Sequence, residues 1–170
     1  MNNLKSRRAF IVGLSSTKIT NKERHFLRKY KPWGVILFAR NIKSVDQTKK
    51  LTNDIKKIFK DSKYPILIDE EGGMVTRIRS IIDNSHFPAK YFGDNYKKDK
   101  TKSLLYLRTY IKQISHLLRY MGISINTVPV LDIPRPFTSK VIGTRAISKD
   151  INVINKIGEK TIEHFKEARI

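Results

Sequence analysis

The chain has 170 residues, with 35 Lys and Arg against 15 Asp and Glu, a formal net charge of +20, and no cysteine. That length allows one ordinary domain with a real core, or part of something larger, and the missing cysteines exclude a disulfide framework, a thiolate zinc site and a cysteine nucleophile. The charge attracts polyanions in general, yet the basic residues are spread over every predicted helix without an aromatic-basic reader motif, so nucleic acid is not expected as the main partner.

The chain opens with MNNLKSRRAFIVGLSS. Its apolar part, Ala9 to Leu14, is too short for a signal peptide's h-region, and no run approaches the roughly 18 residues of a spanning helix. No membrane partner is expected, and the reading is a cytoplasmic protein. Ala9 to Leu14 is instead the first predicted strand. Thr20 with Glu23 spells a capping box ahead of a helix whose Phe26, Leu27 and Tyr30 share a face. WGVILFARN supplies a second strand. Ser44 with Gln47 repeats the capping signal before a helix carrying Leu51, Ile55, Ile58 and Phe59 at helical spacing.

PILID is the third strand. The stretch from Glu70 to Lys100 reads as a long loop with room for a short element, holding a glycine pair, His86-Phe87-Pro88 and a charged run. A clear apolar stripe then follows, Leu104, Leu107, Ile111, Ile114, Leu118 and Met121, ending at Gly122 as a C′ residue. ISINTVPVLDI is the fourth strand, and after a further loop Val153, Ile157, Thr161 and Phe165 mark a fourth helix.

Four successive βα units fit a doubly wound sheet or a (β/α)8 barrel. The phosphate-binding glycine pattern of a dinucleotide fold is missing after the first strand, where GLSSTKIT has a single glycine, so the barrel is favoured. A whole barrel takes about 250 residues, and four units are half of one.

In a barrel the working residues sit where strands pass into the loops that follow them. Arg40 and Asn41 follow the second strand, Asp69, Glu70 and Glu71 the third, and Asp132 and Arg145 the fourth. An acid at the end of a buried strand is costly to desolvate unless it is paired or bound. Asp69 can therefore hold a ligand hydroxyl or pair with Arg77; Asn41 reads better as a turn or cap residue than as a ligand; Asp132 can simply pair with Arg135. The glycines Gly72 and Gly73 let the backbone turn sharply under a ligand. A retaining glycosidase needs two carboxyls about 5 Å apart, whereas neighbours on a strand point to opposite faces, so the acidic trio is weak evidence for acid-base catalysis. None of His25, His86, His116 and His164 shows metal-ligand spacing, and no G-x-S-x-G occurs.

KPWGVILFARNI, ILIDEEGGMVTRI, NTVPVLDI and VIGTRAISKD, in this order and at these separations, resemble the N-terminal half of family 3 glycoside hydrolases in the branch of β-N-acetylhexosaminidases. The resemblance covers almost the whole of residues 1–170, as one partial barrel domain. It implies a retaining hydrolase that removes terminal β-linked N-acetylglucosamine from saccharides such as recycled cell-wall fragments, with no metal or organic cofactor. By position, Asp69 matches the family's sugar-hydroxyl acceptor, and Arg77 and Arg145 match arginines that hold the substrate. Met74 stands where the family usually has Arg, and Ala146-Ile147 where it has Ser-Phe.

The family's next motif, KHFPGHG, and its aspartate nucleophile have no counterpart in the 170 residues, and His164-Phe165 does not substitute for them. The resemblance therefore implies no catalytic residue here, inactivity of the chain alone, open apolar strand edges, and a complementary half-barrel as partner. A non-catalytic sugar- or polyanion-binding module is the competing reading.

Overall fold

The computed structural model describes residues 7–170. Nine elements follow one another: β1 (Arg8–Gly13), α1 (Asn21–Tyr30), β2 (Pro32–Leu37), α2 (Val45–Phe59), β3 (Ile66–Ile68), α3 (Ala89–Lys98), α4 (Lys100–Tyr120), β4 (Ile125–Asn126) and α5 (Ile151–Glu167). The four strands form one parallel sheet in the order β1-β2-β3-β4. Each strand lies beside its neighbour in sequence. A doubly wound sheet reverses its strand order at a switch point; an arc of barrel does not.

Local chemistry sets the helix ends. Thr20 accepts from the Glu23 amide while Glu23 reaches back to the Thr20 amide, which is the expected capping box, and the same carboxylate also accepts from the Ser15 main chain and hydroxyl. Ser44 caps α2 as expected, but Gln47 is drawn elsewhere: it accepts from the Lys43 amide and donates to the carbonyls of Thr17 and Asn41. α4 buries Leu107, Ile111, Ile114 and Leu118, and ends at Met121 with Gly122 at φ 81°, the left-handed conformation that suits glycine.

The short element within the loop at 70–100 is a ten-residue helix, α3. Its helical state comes from packing: Phe92 is buried, and Gly93 lies so close to the Ile147 carbonyl that a Cβ would sit 2.0 Å from it. One expectation needs correction: the fourth strand is far shorter than ISINTVPVLDI suggests. Only Ile125 and Asn126 pair with β3, itself only three residues long, and β4 has no neighbour on its far side among the described residues to extend the ladder.

Register separates the two faces of the sheet. Residues paired in register point the same way, so Val12, Val35, Leu37, Ile66 and Ile68 share the helix-covered face, and the last four of these are fully buried. Ile11, Ile36, Leu67 and Ile125 share the other face. There Ile11 is 44% exposed, and Ile36 and Ile125 are half-buried. Parallel sheets are normally covered on both faces. This one carries its helices on one side only and leaves the interior side of the arc open.

Candidate functional site

The site is built at the C-terminal ends of β3 and β4. Alternation beyond Ile68 sends Asp69 to the open face with Leu67, Glu70 to the helix side, and Glu71 back to the open side. The three adjacent acids thus enter three environments. Asp69 Oδ2 accepts from Arg77 at 2.8 Å, and Thr127, just past β4, donates to Oδ1 at 3.1 Å. Glu71 takes both prongs of Arg145, each at 2.8 Å, in a bidentate fork. Glu70 is 3% exposed and accepts main-chain N–H bonds from Arg77 at 2.6 Å and Ile78 at 3.2 Å, and a side-chain bond from Asn84 at 3.4 Å. Burial pushes the Glu70 carboxyl up from its ordinary pKa, and these donors offset that only in part. Hydrogen bonding by Glu71 raises the Arg145 guanidinium above its usual value.

The glycine pair explains how Arg77 reaches back to a residue eight positions earlier. Gly72 and Gly73 have φ of 76° and 62°, and a tight reversal follows in which Glu71 N donates to Val75 O and Val75 N to Gly72 O. Met74 stands 69% exposed at its tip. A Cβ on Gly72 would lie 2.4 Å from the Phe87 carbonyl, so the turn is pressed against the chain itself. The Arg77 guanidinium also lies over the Phe38 ring, 5.5 Å from its centre, and Arg40 lies over the same ring at 4.7 Å.

Arg77 is therefore joined to Asp69, and Arg145 to Glu71 two residues further on. Asp69 touches Arg77 directly, and its charge acts on Arg145. A carboxylate offers about four lone-pair sites; Arg77 and Thr127 use two, which leaves two for hydroxyl donors. Asn41 is structural: it is fully buried, with Nδ2 on the Leu14 and Ser16 carbonyls and Oδ1 on the Phe38 amide. Asp132 forms no ion pair with Arg135 among the described residues; its charge adds to the field on Arg145. Glu163, His164 and Glu167 do approach one another within 4.8 Å on α5, contrary to the spacing argument above, because Glu167 is the i+4 neighbour of Glu163 and the i+3 neighbour of His164 on the helix. Glu163 is held there by Lys160 and His164 by Glu167.

An apolar cavity of ≈ 50 Å³ lies behind the mouth, between Glu70, Tyr110, Val128 and Phe165. The buried Tyr110 hydroxyl has no partner in it. The space is too small for a pyranose. Glu71 as the anchor of Arg145, and Thr127, Asn84 and Asn126 as supports, carried no local sequence signal.

A sequence profile described as "Glycosyl hydrolase family 3 N terminal domain" matches residues 3–170. The chain belongs to glycosyl hydrolase family 3. Among curated relatives, a Beta-hexosaminidase of Xanthomonas euvesicatoria pv. vesicatoria is 30% identical over 146 residues, covering 85% of this chain and 42% of that protein. A Beta-hexosaminidase A of Pseudoalteromonas piscicida is 29% identical over 148 residues, covering 85% and 24%. Native NagZ of Neisseria gonorrhoeae superposes with a TM-score of 0.85 at 23% identity, over 96% of this chain and 47% of its own. The fold is thus half of a family 3 barrel, and the chain spans less than half the length of these relatives.

Proposed function

We propose that the protein is the substrate-gripping half of a retaining β-N-acetylhexosaminidase acting on terminal β-linked N-acetylglucosamine. One observation supports the reading: Arg77 bonds Asp69 at the end of β3, and Arg145 is forked onto Glu71 two residues further on. An ionised carboxylate accepts two hydroxyl protons of one pyranose, and guanidinium forks fix its orientation. The names of the curated relatives support this, as does the N-trifluoroacetyl-D-glucosamine complex of gonococcal NagZ.

The three carboxylates at the mouth are all engaged, Asp69 by Arg77 and Thr127, Glu70 by main-chain amides, and Glu71 by Arg145. This supports a binding role for Asp69 and its neighbouring arginines, with bond cleavage carried by other residues. Their natural source is a complementary half-barrel, for which the exposed Ile11 and the half-buried Ile36 and Ile125 form an apolar seat. Turnover of cell-wall fragments in the cytoplasm is the setting we favour. The absence of cysteine suits a reducing compartment, and no described helix is long and apolar enough to cross a membrane.

Calorimetry of the 170-residue chain with N-acetylglucosamine tests the reading, beside a chromogenic β-N-acetylglucosaminide assay. Binding abolished by Asp69→Ala, without hydrolysis, is the expected result. Turnover by this chain alone would refute the assignment of cleavage to other residues. Salt-steep binding of nucleic acid with no sugar binding would favour the polyanion module instead.

A further inference from the structure

We infer that Glu70 is a positioning residue for the sugar clamp: its buried side chain fixes the Arg77 segment so that the guanidinium meets Asp69. The inference rests on the binding role proposed above for Asp69 and Arg77. Glu70 lies one residue from Asp69 and faces the helix side, so it does not face the ligand. It accepts from the main-chain N–H of Arg77 itself and of Ile78, and from Asn84. Its own main-chain N–H donates to Asn126 Oδ1 at 3.0 Å, and its carbonyl accepts from Asn126 Nδ2 at 2.9 Å. One residue thus ties the end of β3 to the returning Arg77 strand, to the loop at Asn84 and to β4.

The geometry also says what the site needs from residue 70. Two main-chain N–H groups, one of them on the fully buried Ile78, require an acceptor. A side-chain amide supplies one: Gln Oε1 takes both N–H bonds, and its NH2 faces Asn84, whose amide can turn to offer oxygen. Glu70→Gln therefore keeps the function. Glu70→Met fills the same space and offers no acceptor, which releases the Arg77 segment while leaving apolar packing in place.

The test uses the 15N-labelled 170-residue chain and N-acetylglucosamine. In the wild type and in E70Q the Arg77 and Ile78 amides should exchange slowly with solvent, and sugar affinity should agree within about threefold. In E70M both amides should lose protection and affinity should fall about tenfold or more, a loss of one hydrogen-bond equivalent. An Arg77→Met background supplies the discriminating step. If Glu70 acts through Arg77, adding E70M there changes affinity by less than about twofold, because the coupled contact is already gone. Equal losses in both backgrounds would overturn the proposal, as would protected amides in E70M, or an unfolded E70M beside a folded E70Q. If the wild type binds no sugar, the clamp reading fails, and amide exchange still decides whether Glu70 holds the Arg77 segment.

Discussion

Arg145→Met tests the joint between the two loops that form the mouth. The side chain makes two bonds of 2.8 Å to Glu71, whose own side chain is only 6% exposed. Removing the guanidinium leaves a nearly buried carboxylate without its partner. Breaking a fully buried pair costs about 3–5 kcal/mol, and water reaches Arg145, which keeps 23% of its side-chain surface. The expected loss is therefore about 2–3 kcal/mol, a large part of the roughly 5–15 kcal/mol that holds a domain folded, and a fall in Tm of roughly 5–10 °C. Urea unfolding followed by circular dichroism measures it directly. The double variant Arg145→Met with Glu71→Gln removes the stranded charge and should recover most of the loss. A single variant within about 0.5 kcal/mol of wild type, or a double variant worse than the single, would refute the claim that this pair is desolvated and joins the two loops.

Asn41→Ala removes three hydrogen bonds of a fully buried side chain, two of which tie the β2 loop to the β1 loop; a loss of about 2–4 kcal/mol is expected from the urea midpoint, with no direct effect on sugar contacts. Gly93→Ala drives a Cβ to 2.0 Å from the Ile147 carbonyl, so α3 must move; a drop in Tm is expected, while Gly143→Ala, with nothing within 4 Å, should cost only about 1 kcal/mol of backbone strain. The pH dependence of Glu70 has a definite sign. Its folded pKa is raised, so its ionisation penalises the fold above that pKa and the penalty disappears as pH falls below the unfolded value of about 4.3. Urea midpoints of wild type and Glu70→Gln should therefore differ more in the variant's favour at pH 8 than at pH 4; an unchanged gap would show that the carboxyl is not perturbed.

What the sequence displays and what it conceals divide along sequence separation. The Thr20 box, the α4 stripe and the Gly122 stop are written within a few residues, and the structure follows them. α3 is only faintly signalled because Gly93, Asp94 and Asn95 are weak helix formers, while contact with Ile147, more than fifty residues on, decides for it. β4 is overstated because an apolar run reads as strand whether or not a neighbour exists to pair with it. At the mouth, Asp69, Arg77 and Arg145 stand out by their place after strands. The partner of Arg145 does not: Glu71 lies 74 residues away, and only the closed loop geometry shows which of three adjacent acids it chooses.

The acidic trio in so basic a chain finds its physical reason in strand alternation. Most of the ion pairs elsewhere are local and exposed, such as Lys50 with Asp54, Lys90 with Asp94 and Lys156 with Glu159, and such pairs contribute little. At the mouth, Arg145 with Glu71 joins segments 74 residues apart, and Arg77 with Asp69 closes a turn of eight residues. Because side chains alternate, Glu70 turns away from Asp69 and Glu71, and each acid meets a different donor: the Arg77 guanidinium, the main-chain amides of Arg77 and Ile78, and the Arg145 guanidinium from beyond β4. Three consecutive acids thereby tie the end of β3 to the turn that follows it and to the loop after β4. Their charge is largely neutralised where the chain holds itself together, and what remains unspent, two lone-pair sites on Asp69 and the outer N–H groups of the arginines, faces the open side of the sheet.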